Sequence, residues 1–197
     1  MNERQERSAG HVEVITGGMF SGKSEELVRR LRRAVIARQR VQVFQPRADT
    51  RGSSERLVTR DNRQLSAITV ASSQELRANL ELGVDVVGID EAQFFDEGLV
   101  ELVTELADLG LRVIVAGLDQ DYLRRPFGPM PTILALAEYV DKMHAVCVRC
   151  GAPAHYSQRT GGGDEQLQVG DTEYEARCRR CYGPFESSRG SEQAAGT

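Results

Sequence analysis

The chain has 197 residues, 40% of them apolar and 27% charged, with a net charge of −4 and a pI near 5.5. This is the balance of a globular protein with one sizeable core. No stretch approaches the ~18 consecutive apolar residues of a membrane span, and an acidic pI argues against nucleic acid as the main partner.

Residues 1–10 are polar and mixed in charge, without the apolar stretch of a secretion signal, so they read as a disordered tail on a cytoplasmic protein. His11–Thr16 is β-like and runs into Gly17-Gly18-Met19-Phe20-Ser21-Gly22-Lys23-Ser24. Leu27, Leu31, Ala34 and Val35 then recur at helical spacing to about Arg38. Val41–Gln45 predicts a second strand, and Pro46–Arg63 a long loop of the kind more often functional than idle. A third strand is expected at Ala67–Ala71, followed by a short helix opened by the capping box Ser72-x-x-Glu75. Val84–Asp90 is nearly all apolar, as a central parallel strand covered on both faces should be. Leu99, Leu102, Val103, Leu106 and Leu109 form a helical stripe that stops at Gly110, and Leu111–Gly117 predicts another buried strand. Strands alternating with helices give an α/β fold with a parallel sheet. From Cys147 the apolar runs shorten, which places a boundary near Ala145. An α/β domain over 11–145, a metal-binding domain over 146–185 and a disordered tail over 186–197 follow.

Residues 17–24 fit G-x-x-x-x-G-K-[ST] without departure. Its glycines let backbone N–H groups curl round phosphate oxygens, and the following helix points its positive end at them. Lys23 should bridge the β- and γ-phosphates of ATP, and the Ser24 hydroxyl should hold Mg²⁺. Only Lys23 and Lys142 are lysines among 25 basic residues, a usage in which lysine at position 23 points to a place for a compact ammonium. A carboxylate partner for Mg²⁺ belongs at the end of a neighbouring buried strand, where Asp90 stands. Glu91, next along, is placed to take the proton of an attacking hydroxyl. Cys147-x2-Cys150 and Cys178-x2-Cys181, 27 residues apart, form a four-thiolate pattern suited to structural Zn²⁺.

These motifs resemble, in one order, the type II thymidine kinases, cytosolic enzymes with a RecA-like core and a zinc-bound lasso. The matching residues are the loop GGMFSGKS, Asp49-Thr50-Arg51, Asp90-Glu91-Ala92-Gln93-Phe94-Phe95, Gly117-Leu118-Asp119, Arg125-Pro126-Phe127-Gly128 and the two cysteine pairs, from about Val12 to Tyr182. The resemblance implies transfer of the ATP γ-phosphate to the 5′-hydroxyl of thymidine. It makes Glu91 the general base, and places Asp49, Thr50 and Arg51, with Asp90, Glu91, Ala92 and Gln93, among the ATP contacts. Met19, Leu118, Tyr122, Phe127 and Ser157 would wall the base pocket. The lasso, Gln166, Leu167, Gln168, Val169 and Gly170 with Tyr174, would close over the nucleoside. A homotetramer and feedback inhibition by thymidine triphosphate are implied in the same way. The competing reading of the residues is a RecA-like ATPase whose zinc ribbon binds nucleic acid; nucleoside-dependent against DNA-dependent ATP turnover separates the two.

Overall fold

The computed structural model describes residues 9–47, 66–161 and 173–183. Its centre is a sheet of six parallel strands: β1 (His11–Gly17), β2 (Val41–Pro46), β3 (Ile68–Val70), β4 (Val86–Ile89), β5 (Arg112–Gly117) and β6 (Tyr139–Met143), in the order β3-β2-β4-β5-β1-β6. Four helices connect them: α1 (Lys23–Ile36), α2 (Ser73–Ala78), α3 (Gly98–Asp108) and α4 (Met130–Leu136).

Successive strand residues face opposite sides, so the continuous apolar runs of β1, β4 and β5 feed two cores at once. On one side Leu27, Leu31 and Ala34 of α1 pack on Ile15, Val43, Val86 and Ile114. On the other, Leu99, Leu102, Val103 and Leu106 of α3, with Met130 and Ile133 of α4, cover Val14, Val87, Val113 and Val115. Helix α2 starts as its sequence predicts, with the Ser72 hydroxyl accepting from the Glu75 N–H at 3.2 Å. The return contact is displaced by one residue: the Glu75 carboxylate accepts from the Ala71 N–H at 2.6 Å.

Two findings differ from the sequence expectation. The strand that Asp90 follows, β4, is not the neighbour of β1, because β5 lies between them. All six strands run the same way, so their carboxyl ends still share one edge of the sheet. The elements α4 and β6 were not anticipated; β6 is an exposed edge strand joined to β1 through its backbone, with Gly17 opposite Met143.

Beyond the sheet, β7 (Ala145–Val146) pairs with β8 (Pro153–Ala154), and β9 (Tyr156–Arg159) pairs antiparallel with β10 (Tyr174–Arg177). The expected lasso residues 166–170, residues 1–8 of the expected N-terminal tail, the whole expected tail 186–197 and all but the first two residues of the expected loop Pro46–Arg63 lie outside the described residues. Among the described residues no helix is long and apolar enough to cross a membrane.

Candidate active site and metal centre

Strand β1 ends by turning into the loop 17–22, and α1 begins at Lys23. Gly22 caps the helix with a left-handed φ of 82°, and the exposed Phe20 is left-handed as well at 63°. The loop is braced from within: the Ser21 hydroxyl and the Lys23 ammonium both donate to the Gly18 carbonyl at 2.8 Å. Burial pulls the Lys23 ammonium below its ordinary value, against the pull of Glu91, Asp90, Asp119 and Glu25. The loop is also braced from outside, where the Met19 N–H donates to the Ser157 hydroxyl of β9 at 3.0 Å.

Asp90 follows β4 and its carboxylate accepts from the Glu91 N–H at 2.9 Å and from Ser24. Burial, reinforced by the adjacent Glu91 charge, pushes the Asp90 carboxyl up to about 6, while those hydrogen bonds and Lys23 oppose the rise. Glu91 occupies the left-handed region at φ 48°, ψ 41°, a conformation non-glycine residues take mainly where the surroundings impose it. It caps a 3-10 turn, Ala92–Phe94, that brings Ala92 into the core and Gln93 beneath the Glu91 carboxylate. Lys23, Ser24, Asp90 and Glu91 are thereby brought together at the carboxyl edge of the sheet.

The other side of this crevice is formed after β5. The Leu118 N–H donates to the Gln93 amide at 2.9 Å, and Phe127 meets Phe94 edge to face with ring centres 5.6 Å apart. Tyr122 lies under the guanidinium of the buried Arg159, 5.0 Å from the ring centre, and its carbonyl accepts from the Tyr182 hydroxyl at 2.7 Å. Tyr174 pairs in register with Arg159. Asp49, Thr50 and Arg51, like Gln166, Leu167, Gln168, Val169 and Gly170, lie outside the described residues.

Three partners were missed in the sequence. Lys142 of β6 forms an ion pair with the buried Asp119 at 2.5 Å. The scarcity of lysine that drew notice to position 23 marks Lys142 equally. Arg159 carried no signal at all. Gln93 was grouped with the ATP contacts, and nothing in the sequence showed that its amide faces both Glu91 and Leu118.

The sulfur atoms of Cys147, Cys150, Cys178 and Cys181 all lie within 4.8 Å of one another, with Cys150 and Cys178 at 3.6 Å. A tetrahedron with ~2.3 Å metal–sulfur bonds has edges of about 3.8 Å, so four thiols so placed could hold a metal ion. Each knuckle is a tight turn: the Gly151 N–H donates to the Cys147 carbonyl at 2.8 Å, and the Cys181 N–H to the Cys178 carbonyl at 3.1 Å. Although burial raises it, backbone N–H groups of Cys178, Arg149 and Cys150 bring the Cys147 thiol down to about 6, nearer the ligating thiolate. Hydrogen bonding with the neighbouring sulfurs pushes Cys181 up to about 12.

A parallel α/β sheet whose phosphate loop faces two acidic residues, with a four-thiol site beside it, defines a phosphate-loop nucleotide-binding protein. The family model for thymidine kinase matches residues 10–182, and the chain belongs to that family. The chain is 50% identical over 180 residues to a thymidine kinase of Bacteroides thetaiotaomicron, covering 91% of this chain and 90% of the relative. It is 54% identical over 178 residues to that of a Rhodothermus species, covering 90% and 83%. A third relative, the thymidine kinase of Porphyromonas gingivalis, is 51% identical over 189 residues, covering 95% and 92%.

Proposed function

We propose that the protein is an ATP:thymidine 5′-phosphotransferase and that Glu91 is its general base. The observation that carries this reading is the placement of Glu91, forced into a left-handed conformation beside Asp90 at the sheet edge that the phosphate loop also borders. Phosphoryl transfer needs positioning and neutralisation of charge more than covalent chemistry. The loop Gly17–Ser24 cradles the triphosphate through its N–H groups, and the Lys23 ammonium exchanges the Gly18 carbonyl for phosphate oxygens. Ser24 and Asp90, already hydrogen-bonded to each other, are the ligands for Mg²⁺, which when bound neutralises phosphate charge. The Glu91 carboxylate accepts the 5′-hydroxyl proton as that oxygen attacks the γ-phosphorus, and ADP leaves. Asp49, Thr50 and Arg51 are further contacts to the triphosphate.

Met19, Leu118, Tyr122, Phe127 and Ser157 wall a slot for the thymine ring, with Tyr174 and the segment Gln166–Gly170 over it. A slot of this kind accepts a pyrimidine and rejects a purine by size. The four cysteines hold structural Zn²⁺; a site closed by four protein thiolates has no open position for substrate. On this reading residues 11–145 form the ATP-binding domain and residues 146–185 the zinc-binding lasso domain. A cytoplasmic homotetramer inhibited by thymidine triphosphate is its extension, and rests on family membership alone.

Phosphate transfer from ATP to a panel of nucleosides tests the proposal. Thymidine should be phosphorylated at the 5′ position, and Glu91→Gln should bind both ligands while kcat falls about 10²–10⁴-fold. ATP turnover stimulated by single-stranded DNA and indifferent to thymidine would overturn it.

A further inference from the structure

We infer that Gln93 is a positioning residue, which aims the Glu91 carboxylate and ties it to the segment that starts at Leu118; the inference rests on the reading of Glu91 as the base. Gln93 is 2% exposed, and both ends of its amide are engaged. Its Nε2 donates to Oε2 of Glu91, and its Oε1 accepts from the Leu118 N–H at 2.9 Å. The second bond fixes the first: an N–H at Leu118 requires the amide oxygen, so the amide nitrogen must face Glu91. One carboxylate oxygen is thereby held while Oε1 of Glu91 is left to face an incoming hydroxyl.

The surroundings are shaped for this side chain. A Cβ on Gly117 would stand 2.8 Å from Oε1 of Gln93, so glycine there admits the amide so close, while a Cβ on Gly128 would stand 2.2 Å from the main-chain carbonyl oxygen of residue 93, so glycine there admits the turn that carries it. The Thr16 hydroxyl donates to the Gly117 carbonyl at 2.9 Å, which joins this point to the end of the phosphate-loop strand. Phe94, next to Gln93, touches Phe127. The turn that carries the base thus meets the expected nucleoside wall at both Leu118 and Phe127. A shift of that wall reaches the carboxylate through a single amide.

Two variants separate the two ends of the amide. Gln93→Glu keeps an oxygen for Leu118 and sets a like charge against Glu91 in place of a donor. It should lower kcat by about tenfold to a hundredfold, with thymidine KM within about threefold of wild type. Gln93→Met keeps the volume and removes both bonds; kcat should fall similarly and thymidine KM should rise about tenfold. Rates are taken per folded site, with folding followed by circular dichroism, so a merely structural role would leave both constants in place. Wild-type kcat and KM in both folded variants overturn the inference, and an equal rise in KM for the two overturns the Leu118 half. Glu91→Gln is the reference: if it keeps wild-type kcat, the base assignment itself fails, whereas its loss beside unaffected Gln93 variants condemns the positioning role alone.

Discussion

The six-stranded sheet and the cysteine-bearing region beside it are held together in opposite ways. The sheet is covered on both faces by leucine, isoleucine, valine, phenylalanine and methionine, and each such side chain contributes about 1.5–3 kcal/mol on burial. The buried cluster of the cysteine-bearing region is Ala145, Cys147, Ala154, Ala176 and Cys178, without one large apolar side chain. Its larger groups lie at the margin, where Tyr156 and Tyr182 approach with ring centres 5.3 Å apart and the Arg124 guanidinium lies 4.6 Å from the Tyr182 ring centre. Such contacts are worth about 0.5–2 kcal/mol each. The sheet is therefore stable through packing, whereas the smaller region has no such core and carries instead four thiols that could hold a metal ion. The candidate site needs both, because the phosphate loop of one leans on a strand of the other.

Metal removal is the strongest way to break this contrast. Structural zinc contributes about 10–16 kcal/mol to folding of small modules, so chelation or Cys178→Ser should release the strands β7 to β10 while β4 and β5 keep their amide protection. Hydrogen exchange reads both regions at once, and simultaneous loss of protection in the two would show that they fold as one unit. The converse cut is Leu31→Ala, at a fully buried position between α1 and the sheet. It should cost about 2–5 kcal/mol in thermal or denaturant unfolding, and the folded variant should retain one metal per chain. A third test uses acid. Glu13 lies between α1 and β5 and, although burial raises it, bonds from Arg112, His11 and Arg30 lower its carboxyl to about 2 from 4.5. A depressed carboxylate stabilises above its unfolded value, so this contribution is complete above pH 4.5 and is lost as pH falls toward 2. It amounts to at most about 3 kcal/mol, and Glu13→Gln should flatten the acid dependence of sheet stability within that window.

What could be read in the sequence follows the same division. Strands covered on both faces must be apolar runs, which is why β4 and β5 stood out, and the phosphate loop is written in eight consecutive residues. Strand β6 reads Tyr-Val-Asp-Lys-Met at an exposed edge; its place is set by backbone pairing to β1, which leaves no side-chain pattern. Helix α4 spans only seven residues, too few for a period to declare itself. Contacts between distant residues were illegible for another reason. Lys142 with Asp119, and Gln93 with Leu118, depend on how parallel strands line up, and a single sequence carries no mark of that register. The four cysteines were the exception, because their spacing states their chemistry.

Ser157 joins an expected base contact to the phosphate loop, and it supplies the most delicate test. Its place in the motif series sets it beside the thymine ring, its hydroxyl accepts from the Met19 N–H, and the neighbouring His155 carbonyl oxygen lies 3.2 Å from where a Gly18 Cβ would stand. The cysteine-bearing region therefore touches the phosphate loop directly, as well as the nucleoside side. Ser157→Ala leaves the Met19 N–H without its acceptor, a penalty of about 1–3 kcal/mol if the group stays buried. The loop should relax, so the KM for ATP should rise together with that for thymidine, by about threefold to tenfold. Ser157→Thr, which retains the hydroxyl, should restore the ATP constant. A rise confined to thymidine would mean that Ser157 serves the base alone and that the two regions meet only through their ligands.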